Sequence, residues 1–94
     1  MVTFGIAKLP HGKIRLEVQR PQHPAAAHKN YASTDAVRRV LTELGVPADV
    51  IEFYFKLLPA IEPHQLLQFP PMYVPEYQLE AQGLKPGGQR GPAD

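Results

Sequence analysis

The chain has 94 residues, 44% hydrophobic and 20% charged, which fits one small globular domain and argues against wholesale disorder. It has no cysteine, and that excludes disulfides, thiolate metal sites and cysteine nucleophiles. The net charge is only +1, yet residues 1–42 carry seven Lys and Arg against two Asp and Glu, while residues 43–94 carry three against seven. This asymmetry reads as two halves that neutralise each other, with a nucleic-acid face or a head-to-tail contact as alternatives.

In chain order, the first element predicted is a β-hairpin. Val2, Phe4 and Ile6 alternate with Thr3, Gly5 and Ala7, and Ile14, Leu16 and Val18 alternate with charged or polar neighbours. Pro10 and Gly12 between them suit a tight turn, with Gly12 in the left-handed position. Residues 20–32 show no periodicity and hold Pro21 and Pro24, so they read as a long loop. A helix follows, capped by Ser33 or Thr34 and with Val37, Val40, Leu41 and Leu44 on one face; Gly45 ends it. Pro47 opens a second helix that Pro59 ends or kinks. Its apolar residues Val50, Ile51, Phe53, Tyr54, Phe55, Leu57 and Leu58 cover an arc of about 200°, too wide for one neighbour to bury. His64–Phe69 reads as a third short strand, with a helix as the alternative, and Pro75–Ala81 as a short helix closed by Gly83. Residues 85–94, rich in glycine and proline, read as a disordered tail after a single domain spanning 1–84. The expected fold is therefore α+β in two layers: an N-terminal β-hairpin, with or without a third strand, packed on an αα-hairpin plus a short C-terminal helix.

Several motifs bear on function. The hinge between the two helices resembles a DNA-binding helix-turn-helix at Val40, Gly45, Val46 and Ile51. Asp49 and Glu52 on the second helix would repel phosphates, so a plain αα-hairpin is the reading kept. A basic patch of Lys13, Arg15, Arg20, Lys29, Arg38 and Arg39 is the better nucleic-acid candidate, but Tyr31 is the one ring among them for stacking. Pro70-Pro71-Met72-Tyr73 resembles the P-P-x-Y ligand motif bound by WW domains. Its position between apolar segments favours a stiff connector that aims Met72 and Tyr73 inward; display to a partner is the alternative.

Little points to chemistry. His23 and His28 stand five apart in a loop, which leaves a zinc site incomplete, so neither metal nor cofactor is expected. Ser33 is the only serine and suits a helix cap, and Glu76 and Glu80 form an ordinary i,i+4 pair, so no catalytic residue is named. With no basic stretch leading into a long apolar run and no apolar segment of spanning length, the cytoplasm is the expected compartment and no membrane partner is expected. The function expected is protein interaction, including self-association as a homodimer, through Phe53, Tyr54, Phe55 and Leu58. Nucleic-acid binding through the basic half is the alternative, and a small enzyme comes third.

Overall fold

Alternation in the N-terminal third produces a hairpin whose inner face is apolar. In the computed structural model, which describes residues 1–86, β1 (Thr3–Lys8) pairs antiparallel with β2 (Ile14–Gln19). The register sets Phe4 opposite Val18 and Ile6 opposite Leu16, and all four are fully buried. The turn is a three-residue 3-10 segment, Pro10–Gly12, in which Gly12 takes the left-handed conformation and His11 does so as well.

The sheet is wider than expected. It has four antiparallel strands in the order β3-β2-β1-β4. Residues 27–31, expected to be loop, form β3 (Ala27–Tyr31) at one edge, paired with β2. Its sequence AHKNY has no period-two apolar signal because His28, Lys29 and Asn30 are all exposed. Ala27, Lys29 and Tyr31 share the helix-side face, but only Ala27 and Tyr31 bury side chains against the core, so the strand is specified by pairing rather than by its own pattern. At the other edge, the expected strand over 64–69 is reduced to β4 (Leu67–Gln68), paired with β1. Hydrogen bonds continue the pairing beyond it: Phe69 N donates to Phe4 O, and Val2 and Met72 exchange both of theirs. Pro70 and Pro71 lack the amides to close the gap. Gly5 has a role in this pairing. A Cβ there would stand 2.7 Å from the Leu66 side chain, which lies across it.

The helices form the second layer. Ser33 Oγ accepts from Ala36 N and caps α1 (Thr34–Glu43), whose Val37 and Leu41 are fully buried. Gly45 N donates to Thr42 O and Val46 N to Leu41 O; this double closure needs the left-handed Gly45 and buries Val46 behind it. Pro47 precedes α2 (Ala48–Leu57), and a 3-10 turn around Pro59 (Leu58–Ala60) follows it. α3 (Glu76–Ala81) ends by the same double closure at Gly83, with Leu84 fully buried in the place Val46 holds after α1. One core joins the inner sheet face to α1, α2 and α3, and the opposite sheet face carries Arg15, Glu17, Gln19, His28 and Asn30. The architecture is thus α+β, with the helices packed on one face of the sheet. The tail expected over 85–94 lies, from residue 87 on, outside the described residues. Among the described residues no helix is long and apolar enough to cross a membrane.

Candidate interaction surface

α2 carries two apolar stripes that point in different directions. Ile51, Phe55 and Leu58, at i, i+4 and i+7, are buried in the chain's own core. Val50, Phe53, Tyr54 and Leu57, at i, i+3, i+4 and i+7, form the second stripe about 100° around the helix. This one is incompletely covered: Phe53 is 57% exposed and Leu57 40%, while Val50 and Tyr54 are half-buried. The four expected interface residues therefore divide. Phe53 stays exposed and Tyr54 half-buried, whereas Phe55 and Leu58 are withdrawn into the core that α2 shares with the rest of the chain. Leu57 belongs with Phe53 and was missed; its i,i+4 relation to Phe53 is the signal that identifies it.

The exposed stripe rests on a rigid base. The Tyr54 ring stacks on buried Phe69, with centroids 4.5 Å apart and planes 25° apart. Phe53 meets Tyr54 edge-on at 5.0 Å and 87°. Along one flank of the stripe lie Asp49 and Lys56, both exposed and seven residues apart, hence nearly in line along the helix. Neither makes an ion pair with another described residue. Glu52, also exposed, is engaged by Arg38 at 3.3 Å.

The expected basic patch does not assemble on one face. Arg15 projects from the open sheet face and lies 3.9 Å from Glu17. Arg38, on α1 in the opposite layer, is held by Asp35 and Glu52 and lies over the Phe55 ring. Lys29 donates to Gln82 O and sits over Tyr31. Arg20 is buried: its guanidinium makes two 2.9 Å hydrogen bonds to the Glu76 carboxylate and a third to Leu84 O. Only Lys13 and Arg39 are exposed without such a partner among the described residues. The charge asymmetry of the sequence is thus partly resolved within the fold, since Arg20–Glu76 and Arg38–Glu52 each join the basic half to the acidic half. The Arg20 hydrogen bond holds the Glu76 carboxyl below its ordinary range, while burial pushes the Tyr31 hydroxyl up. Glu76 is therefore the anchor of a lock, not simply one member of a solvated carboxylate pair.

The proline segment divides by side chain. Phe69 and Val74 are buried and Met72 is half-buried against the core, but Tyr73 is 72% exposed. The expectation that Tyr73 points inward is corrected: pairing with Val2 turns Met72 toward the core, so the next side chain along the extended chain faces away. Val74 fills the core position instead. Tyr73→Ala should accordingly change stability by no more than about 0.5 kcal/mol in a thermal melt. Comparison of the chain with protein-family models, with curated proteins and with solved structures finds no match.

Proposed function

We propose that the protein is an interaction module that self-associates, two copies pairing α2 against α2 in antiparallel fashion about a two-fold axis near Phe53. The observation that carries this reading is the exposure of Phe53 and Leu57 on one apolar stripe. Aromatic and aliphatic groups set on a rigid base suit the core of an interface, and a two-fold pair is the commonest way of covering them. The flanking charges support the same geometry. With the axis at Phe53, Lys56 of one copy falls within one residue, about 1.5 Å of helix rise, of the level of Asp49 on the other. A two-fold axis perpendicular to the helices keeps both flanks on the same side, so each Asp49 meets a Lys56, twice over.

A charge-reversal cycle tests the orientation. Asp49→Lys should weaken association by about threefold to tenfold, Lys56→Asp should do the same, and the double variant should restore it. Dimerisation constants from sedimentation velocity at low and high salt are the readout. Additive losses in the double variant would sink the antiparallel arrangement.

A further inference from the structure

We infer that Pro70-Pro71-Met72-Tyr73 is a displayed ligand for a small protein domain whose groove is walled by aromatic rings and accepts a polyproline II strand. This proposal is independent of the α2 pairing. The sequence motif alone left open whether the stretch is a buried connector, and the side-chain directions now favour display. Pro70, Pro71 and Tyr73, the three residues that spell P-P-x-Y, are all exposed. Met72, at the position where the motif tolerates any residue, is the one turned toward the core.

The backbone is prepared for such a partner. Phe69–Pro75 runs without a turn or bend, its one regular pairing being the bridge at Met72. Each proline fixes its own φ and pushes the residue before it, Phe69, Pro70 and Val74 in turn, toward extended conformations. Met72 N donates to Val2 O at 2.9 Å and Met72 O accepts from Val2 N at 2.8 Å, which anchors the middle of the motif. Buried Phe69 and Val74 pin the segment on either side. No described residue donates a hydrogen bond to the carbonyls of Pro70, Pro71 or Tyr73. Those acceptors and three apolar side chains are therefore presented together on a strand that loses little freedom on binding. The register also selects among groove types. A P-x-x-P ligand needs prolines three apart, and residues 69–75 contain none at that spacing, whereas the tyrosine stands where P-P-x-Y requires it.

The test is titration of the full chain, wild type and variants, with two purified WW-type domains, and with an SH3-type domain as the comparison. A synthetic peptide covering residues 68–78 is titrated alongside. The result expected is saturable binding of the folded chain to a WW-type domain, weakened about tenfold or more by Tyr73→Ala and by Pro71→Ala and unchanged by Phe53→Lys. A thermal melt confirms that each variant is folded, and Tyr73→Ala, replacing an exposed ring, is the variant that keeps the test decisive should Pro71→Ala disturb the fold. Four results would overturn the proposal: no saturable binding at high micromolar concentration, equal binding by Tyr73→Ala, binding of the free peptide but not of the folded chain, or equal binding to the SH3-type domain.

Discussion

Truncating Phe4 to alanine should cost about 3–5 kcal/mol, the range for deleting a ring from a core that cannot collapse around the void. Phe4 is fully buried on an interior strand, with Val18 opposite it and its carbonyl accepting from Phe69 N. A domain of this size has about 5–14 kcal/mol of stability in total. The melting temperature should therefore fall by about 12 °C or more. Phe53→Ala is the matched control, because it removes the same ring from a position 57% exposed. In the monomer it should change stability by about 0.5 kcal/mol or less. Chemical denaturation at low protein concentration measures both, and similar losses would contradict the assignment of the two rings to core and surface.

The Arg20–Glu76 lock gives the second large effect. Among the described residues Arg20 is the one buried charged side chain, at 5% exposure. Neutralising its partner leaves a guanidinium out of water with no counter-charge, and with only Leu84 O and one amide oxygen to bond. Breaking a wholly buried pair costs about 3–5 kcal/mol; Glu76 is half-exposed, so Glu76→Gln should cost about 2 kcal/mol. The more exposed Arg38–Glu52 pair sets the scale for comparison, and Glu52→Ala should cost about 0.2–1 kcal/mol. The lock also makes stability depend on pH. The folded-state pKa of Glu76 lies below its ordinary value of 4.5, with the Arg20 hydrogen bond as the first cause. Its contribution is thus fully present above the ordinary value and is lost as pH falls through the lower, folded-state value. Stability measured from pH 7 down to acid should drop less steeply in Glu76→Gln than in the wild type. Parallel profiles would show that Glu76 is not coupled to folding in this way.

The parts of the fold with strong local signals were legible in the sequence. Phe4, Ile6, Leu16 and Val18 alternate because the hairpin has one covered face, and Gly45 and Gly83 mark helix ends because the closing hydrogen bonds need a left-handed residue. What was not legible depends on distant partners. β3 carries exposed polar residues along its middle, and nothing within AHKNY announces that β2 will pair with it. Arg20 looked like a surface charge because the carboxylate that buries it lies 56 residues away. The width of the apolar arc on α2 was readable, but which part of it faces the core was not. That choice decides that Phe55 is core and Leu57 surface. Tyr73 was misplaced for a related reason: proline content signals a stiff segment, whereas the bridge between Val2 and Met72 sets which side chains turn out.

Sedimentation equilibrium of the full chain across the micromolar range, with Phe53→Lys beside the wild type, tests most directly the claim that the α2 stripe is a self-association surface. The wild type should fit a reversible monomer–dimer equilibrium, because Phe53 and Leu57 are otherwise left in water. Phe53→Lys should sediment as a monomer at the same concentrations with its melting profile at low concentration unchanged, since a lysine at that exposed position disturbs no core contact while placing two like charges at the two-fold axis. A wild-type chain that remains strictly monomeric at high micromolar concentration, or a dimer that Phe53→Lys leaves intact, would contradict the account.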